Sequence, residues 1–322
     1  MPTFCRHGRF LQNCRICSKP EPEPAAARQP AERSPTRSSS GSSGSRRGSS
    51  AVVVKRMARA VEDGYEHDLV PGLKATGDAR RLAAEIAFSA ARLAELAADP
   101  PGLYADVALA EDAEEALWLA FQIAHLSPLS GDADPFATIR AARTTWASGE
   151  APVVGPGAAL GPRTTVDPKA PARTAVAYRA WASRSGSQGA AFAGEAAWTA
   201  ERRFSRLFER LSLPGFGRAG RVELLVSAGR LGLAEIEPAE LRLGAEASDE
   251  ATLAAKRVFG IGDAFLLERR AADLAEASEV PVAALDLALF NFGRPEDRRA
   301  TMGASASADP GAQARVEAAL GL

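Results

Sequence analysis

The chain has 322 residues, of which 46% are hydrophobic and 25% charged, a composition typical of globular proteins. Its longest apolar runs are well short of the roughly 20 residues that a membrane-spanning helix needs, which excludes an integral membrane protein. With three cysteines and no visible secretory signal, the protein is predicted to be cytoplasmic, where a disulfide framework is not expected.

The first segment, residues 1–19, contains all three cysteines. Cys5, His7, Cys14 and Cys17 offer four metal ligands within thirteen residues. Zinc prefers four such ligands in a tetrahedron, and a Cys-x2-Cys pair presents two thiolates together. The spacing therefore predicts a structural zinc knuckle, whose folding free energy would come largely from the metal. The alternative is a set of unpaired cysteines in a disordered tail.

The next segment, residues 20–52, consists of Pro, Ser, Gly, Arg and Glu with almost no apolar side chain. Such a segment cannot offset its ordering entropy, which predicts a disordered linker. Charge is unevenly distributed: residues 1–50 hold nine Lys/Arg against three Glu, a net +6, although the whole chain carries −1. The remainder therefore carries −7, and a basic arm on a mildly acidic body points to nucleic acid or another polyanion as partner.

From residue 53 to residue 322, apolar side chains recur at helical spacing, and the alternation typical of β-strands is scarce. We therefore predict an all-α fold for this body, with a Pro/Gly-rich loop at 150–171. The segment 111–126 begins with acidic residues and is then nearly continuously apolar, which predicts a buried central helix. Further helices are predicted over 77–99, 134–148, 172–185, 195–212, 218–231, 250–258, 263–277 and 281–291.

Two turns between predicted helices, near 213–220 and 258–264, have the pattern Gly-x-Gly. A helix, a Gly-hydrophobe-Gly turn and a second helix form the helix-hairpin-helix signature, in which backbone N–H groups can face a DNA phosphate. Each Gly-x-Gly could also be an ordinary turn, since turns between helices commonly contain glycine. For the basic residues around the first turn, the alternative is a solvated, salt-bridged face. The predicted DNA-binding residues are Gly215, Gly217, Arg218, Arg221, Lys256, Arg257, Gly260 and Gly262.

Asp286 follows the second hairpin in the stretch VPVAALD, 24 residues after Gly262. This order resembles the helix-hairpin-helix DNA glycosylase superfamily, in which such an aspartate stabilises positive charge at the sugar C1′ or activates a nucleophile. The resemblance makes Asp286 the candidate catalytic residue; the alternative is that it only decorates the last helix. Strand-cleaving members carry a lysine where this chain has Ala219 and Ala264, so Schiff-base lyase chemistry is not expected.

Several other residues have two possible roles. His67 and His125 are the histidines outside the predicted knuckle, and a core imidazole is the ordinary expectation for His125 at the end of the central helix, with catalysis as the alternative. Ser187 and Gln188 lie beside glycines at a predicted helix start and could line a pocket. The arginines within 202–210 are candidates for binding pyrophosphate. Four tryptophans could stack on an extruded base, although helical positions favour core packing; they are Trp118, Trp146, Trp181 and Trp198.

Several segments, in the same order along the chain, resemble the third clade of the α-glutamyl/putrescinyl thymine pyrophosphorylase family. They are TFCRHGRFLQNCRIC, ALWLAFQIAHLSPL, WASGEAP with GPRT, GSQGAAFAGEAAWTAERRFSRLFERLSLPGFGRAGR, and KRVFGIGDAFLLERRA with LDLALFNFG. The resemblance implies a helical fold like that of helix-hairpin-helix DNA glycosylases and DNA with modified bases as the partner. It also implies a reaction in which putrescine or glutamate displaces pyrophosphate from an activated 5-hydroxymethyluracil.

The leading hypothesis is therefore an enzyme that modifies bases in DNA by amine transfer. One alternative is a monofunctional DNA glycosylase that excises a modified base, in repair or in defence against phage. Another is a non-catalytic, zinc-containing adaptor that binds DNA through the hairpins and the knuckle. Replacing Asp286 with Asn separates these classes, because an enzyme should keep DNA affinity and lose turnover whereas an adaptor should keep its whole function.

Overall fold

The structure is a computed structural model that describes residues 60–131 and 134–322, within a compact unit that spans Lys55–Leu322. The described residues form helices and no β-strand, which confirms the predicted all-α class. No helix among them is both long and apolar enough to cross a membrane.

Two predictions fall outside these described residues. One is the structural zinc site, and the other is the disordered linker over 20–52. Both stay predictions. The zinc ligands concerned are Cys5, His7, Cys14 and Cys17.

The described part of the chain contains twelve α-helices and a short 3-10 turn at Glu296–Arg298. The α-helices are α1 (Thr76–Ala98), α2 (Leu103–Leu109), α3 (Ala113–Leu126), α4 (Ala137–Ala142), α5 (Arg173–Ser183), α6 (Gln188–Ala193), α7 (Ala200–Arg210), α8 (Arg218–Arg230), α9 (Glu250–Phe259), α10 (Ala264–Ala277), α11 (Ala284–Phe292) and α12 (Pro310–Ala319).

Side-chain caps explain where several helices begin. Thr199, Asp249 and Asp263 each accept a hydrogen bond from a backbone N–H in the first turn of the helix that follows. Because a capping residue keeps an extended backbone, Thr199 starts α7 at Ala200, five residues later than the apolar pattern predicts. The caps thus set boundaries that periodicity alone does not locate.

Apolar periodicity does not predict α2, α6 or α12, and α4 is much shorter than the predicted helix over 134–148. The start of α6 is held by a tertiary contact, since the Glu114 carboxylate accepts from the N–H groups of Gln188 (2.9 Å) and Gly189 (2.8 Å). Beyond the end of α4, the N–H of Thr144 donates to the side chain of Gln122 (2.9 Å) on α3, so the chain leaves the helix there.

Buried apolar side chains form two clusters, which we call the first and second core. The first core surrounds α3 and includes α2 and α5–α8; its centre is aromatic, with Trp118 stacked on Phe121 at 5.2 Å and Phe121 on Tyr178 at 4.0 Å between ring centroids. The second core joins the first half of α1 to α9–α12. Residues 116–126 are all buried, which confirms the predicted central helix.

The segment before α1 approaches α9 so closely that no side chain fits between them. The N–H of Gly72 donates to the carbonyl of Val258 (2.9 Å), and a Cβ at Gly72 would lie 2.0 Å from the carbonyl oxygen of Arg257. This backbone contact fixes the segment before α1 against the end of α9, where the second Gly-x-Gly turn begins.

Gly72→Ala should lower the free energy of unfolding by about 1–3 kcal/mol, because the added methyl group must push two backbone segments apart. Urea unfolding measures the change. Gly77→Ala is the matched control: its added Cβ has its nearest neighbour at an ordinary 3.4 Å, and alanine suits a helix better than glycine. Equal stability of the two variants would contradict the proposed contact.

Candidate functional site

Segments that are distant in the sequence surround one surface cleft of about 250 Å³. They are the Pro/Gly-rich loop before α5, the first hairpin with the start of α8, the loop that leads into α9, and α11. The lining residues that carry charge, a hydroxyl group or a hairpin glycine include Arg163, Thr165, Gly217, Arg218, Glu246 and Asp249.

Asp286, the predicted catalytic residue, lies in the first turn of α11 and is only 3% exposed. One of its carboxylate oxygens accepts from Nη2 of Arg163, and the other accepts from Nη2 of Arg218 at 2.6 Å. Both arginines line the cleft. The fold therefore brings Asp286 next to the cleft, but with both oxygens occupied by guanidinium groups.

Ion pairs continue on both sides of that carboxylate. Arg218 Nη1 lies 3.1 Å from Asp249, and Arg163 Nη1 lies 3.4 Å from Glu223, which also pairs with Arg92. Three arginines thus alternate with three carboxylates, and none of these side chains is more than 5% exposed. We call this set the buried charge network. Its formal charge is zero, so no member is left as an uncompensated buried ion.

The buried charge network lies where the two cores meet. Glu223 belongs to α8, which packs in the first core, whereas Asp286 belongs to α11, most of which packs in the second. Arg92 lies on α1 between Phe88, in the second core, and Leu93, in the first. The network therefore joins the two cores, and the cleft opens beside it.

The ionisation of Asp286 follows from this arrangement. Burial by itself would raise the pKa of Asp286, but the adjacent Arg163 and Arg218 outweigh burial and hold that pKa below its ordinary value. Burial likewise opposes the charge of Arg163, yet Asp286 and Glu223 keep the pKa of that guanidinium above its usual value. Asp286 is therefore a carboxylate at neutral pH, with no proton to donate.

The first hairpin has the tight turn that its two glycines predict. Gly215 has a φ of +82°, and a Cβ there would lie 2.5 Å from Oγ1 of Thr174, so a larger residue would be strained and crowded. Gly217 is the N-cap of α8. The turn thus brings the start of α8 to the edge of the cleft.

At this hairpin a carboxylate of the protein already occupies the backbone N–H that opens α8. The N–H of Arg218 donates to the Glu246 carboxylate at 3.0 Å, and Nη2 of Arg221 lies 3.3 Å from the same carboxylate. The Arg221 guanidinium also lies 4.1 Å from the ring of Phe208, and the side chain of Arg218 is completely buried. At the first hairpin, a carboxylate of the protein itself therefore takes the position expected for an external anion.

The second hairpin differs from the first because it faces solvent. Gly260 ends α9 in the left-handed conformation, with a φ of +64°. Gly262 is exposed, with no heavy atom within 4 Å of an added Cβ, and Asp263 then caps α10. Among the described residues nothing accepts from the N–H groups of Gly262 and Ala264. This turn leaves backbone donors open to a ligand.

The two basic residues before the second hairpin have different surroundings. Arg257 pairs with Asp78 at 2.5 Å and lies over the ring of Phe292, so its charge is used within the fold. Lys256 makes no ion pair with any described residue, and its side chain is partly exposed. Of the predicted DNA-binding side chains, Lys256 is therefore the one most available to a phosphate.

His125 ends α3 and reaches the cleft through Thr165. Its Nδ1 lies 2.6 Å from Oγ1 of Thr165, and its ring stacks on Phe121 with a centroid distance of 5.4 Å. Burial lowers the pKa of His125 to about 4, so the imidazole is neutral at physiological pH. The expected core histidine thus also contacts a residue of the cleft.

The remaining candidates do not line the cleft. The arginines within 202–210 lie on α7, where Arg203 donates to carbonyl oxygens and Arg210 lies over the Trp198 ring at 5.0 Å. Gln188 is buried against Glu114. Trp118, Trp181 and Trp198 are buried and Trp146 packs against the first core, as expected for core residues.

Sequence patterns did not single out Arg163, Thr165 or Glu246, although all three line the cleft. Each lies in a loop that lacks periodicity, and nothing local indicates which helix these loops approach. The one trace of Arg163 is the segment GPRT, which contributes to the family resemblance and ends one residue before Thr165. Metal-binding clusters of His, Cys, Asp or Glu are absent from the described residues.

The chain matches no protein-family model, and comparison with curated proteins and with solved structures finds no significant similarity. The resemblance to thymine pyrophosphorylases therefore rests on the sequence segments alone. A function has to be argued from the geometry of the cleft and the hairpins.

Asp286→Asn should lower the free energy of unfolding by about 3–5 kcal/mol at neutral pH, because it leaves two buried guanidinium groups without their shared counter-charge. Since folding lowers the pKa of Asp286, its contribution is present above the ordinary value of 3.8 and is lost as the pH falls through the lower pKa of the folded state. Urea unfolding at several pH values measures both effects, and the difference from the wild type should shrink at the acidic end.

Asp106→Asn is the matched control, since it makes the same substitution in an exposed ion pair with Arg143 at 3.0 Å. We expect a cost of about 0–1 kcal/mol there. If Asp286→Asn cost no more than this control, the buried charge network would not stabilise the protein.

His125 should make the protein less stable as the pH is lowered from about 6.5 to about 4, because the unfolded chain binds a proton that the folded chain excludes. His125→Phe should remove this part of the pH dependence, and His67→Phe should leave it in place. Urea midpoints at pH 7 and pH 5 provide the comparison. An unchanged pH dependence in His125→Phe would contradict the inferred neutral imidazole.

Proposed function

We propose that the helical domain is an enzyme that acts on bases in DNA, with an architecture like that of helix-hairpin-helix DNA glycosylases. One observation carries this proposal: the first hairpin, the arginines that hold Asp286 and the start of α9 all meet at one cleft. In the proposal, the second hairpin binds a phosphate of the DNA backbone and the cleft receives the reacting base.

The second hairpin and the cleft share supporting elements. The loop that lines the cleft at Glu246 also contacts the start of α10, since a Cβ at Gly244 would lie 2.7 Å from Cβ of Ala264. Glu268 on α10 accepts hydrogen bonds from that loop at the N–H groups of Leu241 (2.8 Å) and Leu243. The ten residues of α9 span about 15 Å along the helix axis, from the cleft at the start of α9 to the second hairpin at its end.

Within this class, amine transfer onto a pyrophosphate-activated 5-hydroxymethyluracil fits the cleft better than base excision. Excision needs a carboxylate against the sugar, whereas both oxygens of Asp286 are held by arginines. At the mouth of the cleft, the carboxylates of Glu246 and Glu250 pair with Arg221 and Arg294 but remain 39% and 45% exposed, so each can also approach a cationic amine such as putrescine. Glutamate as the donor is less suited to such a rim.

A non-catalytic DNA-binding adaptor is the second candidate. It is favoured by the same observation on Asp286, since a carboxylate with two arginine partners can be purely structural. The zinc knuckle predicted from Cys5, His7, Cys14 and Cys17 would serve as a second docking element. Binding without any change in the DNA distinguishes this candidate from an enzyme.

The test uses the full-length, zinc-loaded protein and DNA that carries pyrophosphorylated 5-hydroxymethyluracil, with and without putrescine or glutamate. We expect a mass increase of the modified nucleoside that requires the amine, together with release of pyrophosphate. Alkaline cleavage scores abasic sites in the same samples. Abasic sites without a mass shift would replace transfer by excision, and tight binding with neither product would favour the adaptor.

Lys256→Ala should weaken DNA binding to a similar extent for every sequence and reduce the slope of log Kd against log salt by about one, as expected for the loss of one phosphate contact. Arg184→Ala is the matched control, because it removes a positive charge from an exposed position at the end of α5. Fluorescence anisotropy across a salt series gives both values. Equal effects of the two substitutions would show that the second hairpin is not the DNA contact.

A further inference from the structure

Phe265 is a large aromatic side chain that lies in solvent at the second hairpin. It belongs to the first turn of α10 and is 75% exposed, whereas rings of this size are usually buried. Neither apolar core includes it. A single exposed apolar residue does not by itself indicate a ligand, so the groups around the ring determine what it can bind.

Backbone hydrogen-bond donors without acceptors surround this ring. Besides the N–H groups of Gly262 and Ala264, the N–H of Phe265 itself has no acceptor among the described residues. The side chain of Asp263 caps α10 through a different donor, the N–H of Leu266 at 3.0 Å. Three backbone donors therefore remain open within one turn of the ring.

Two cations without ion pairs lie on the helices that flank the hairpin. Arg269 is exposed and follows Phe265 by four residues, so the two side chains share one face of α10. Lys256 lies about 6 Å along α9 from the hairpin. Neither cation pairs with a carboxylate in the part of the chain that the structure describes. The carboxylate of Glu268, next to Arg269, is engaged by the loop before α9.

These surroundings restrict the kind of partner that can cover the ring of Phe265. An apolar protein surface would bury the open N–H groups without acceptors, which is costly. A nucleic-acid strand offers phosphate oxygens to the N–H groups and the cations, and the flat face of a base to the ring. Because stacked neighbours cover the base faces in a duplex, the ring can reach only an unpaired base.

We propose that the second hairpin binds single-stranded DNA, with one unpaired base stacked on Phe265 and the adjoining phosphate at the open N–H groups. Arg269 and Lys256 supply the counter-charges. This inference rests on the proposed function and names its substrate as a DNA strand that is single or locally opened. Stacking of this kind tolerates any base, because every base has an aromatic face. The bound strand then continues along α9 toward the cleft.

The first test measures binding and needs no catalytic activity. Phe265→Ala should raise the Kd for a fluorescein-labelled oligothymidylate by about 5–150-fold, the effect of losing one stacked base. Phe265→Tyr keeps an aromatic face and should bind like the wild type, whereas Phe265→Leu keeps only apolar bulk and should bind like Phe265→Ala. Leu109→Ala is the matched control, since Leu109 is 81% exposed on α2.

Fluorescence anisotropy with the full chain gives the Kd values. The urea midpoint of Phe265→Ala should equal that of the wild type, because the side chain is exposed. A loss of affinity therefore reports on binding and not on folding. An unchanged Kd for the oligothymidylate in Phe265→Ala would overturn the inference.

The second test uses an abasic oligonucleotide of the same length, which keeps the phosphates and lacks the bases. Phe265→Ala and the wild type should bind this strand equally. Arg269→Ala should weaken binding to both strands and lower the slope of log Kd against log salt by about 0.7, the value for one phosphate of a single strand. Phe265→Ala should leave that slope unchanged. An equal loss of affinity for the abasic strand in Phe265→Ala would show that the ring contacts no base.

The same measurements separate failure of this inference from failure of the proposed function. If the wild type binds neither single-stranded nor duplex DNA, both fail. If Lys256→Ala weakens binding but Phe265→Ala does not, the hairpin still binds DNA and the stacking is wrong. Tighter binding of a duplex than of the single strand would also overturn this inference alone. So would self-association that Phe265→Ala abolishes, seen by light scattering, with an unchanged Kd for DNA.

Discussion

The buried charge network is the constraint on which the described fold and its cleft both depend. Its six alternating charges lie between the two apolar cores. Each arginine in the network has a carboxylate neighbour, and each interior member has a neighbour on both sides. Ions without partners are costly in an apolar interior, so the loops and helices that supply these charges must meet in one arrangement. Because Arg163 and Arg218 also line the cleft, the same ion pairs that join the cores give the cleft its shape. Stability and the proposed function therefore involve the same residues.

The two hairpins show how one sequence pattern takes two roles. Both have Gly-x-Gly between helices, but the first turns its amide toward the loop that carries Glu246, whereas the second turns its amides toward solvent. The start of a helix attracts a negative charge wherever it comes from. At α8 that charge comes from Glu246 in a distant loop, and at α10 it comes from the local cap Asp263, which leaves the N–H groups of Gly262 and Ala264 without an acceptor among the described residues. The tertiary surroundings of each turn, and not its glycines, make this difference.

The Pro/Gly-rich loop over 150–171 contributes more to the cleft than any predicted helix. It delivers Arg163 to Asp286 and Thr165 to His125, and both contacts join residues that are 40 or more positions apart. Loops supported by a rigid helical scaffold commonly carry functional residues, because they can place a side chain without obeying a helical period. The same freedom removes the periodic signal by which a sequence pattern is recognised. For this reason, sequence patterns do not identify the residues with which this loop lines the cleft.

Local chemistry in the sequence decided the all-helical class, the buried central helix and the existence of both glycine turns, since helical periodicity and glycine act over a few residues. The resemblance to helix-hairpin-helix glycosylases singled out Asp286, but neither it nor any local pattern indicated the two arginines that hold this carboxylate or the contact of Thr165 with His125. Those contacts arise only when loops and helices from separate parts of the chain pack together, and burial then decides which charges must be paired. Whether a turn is open or filled, and whether a carboxylate is free or held, follows from packing between distant segments, which no local pattern encodes.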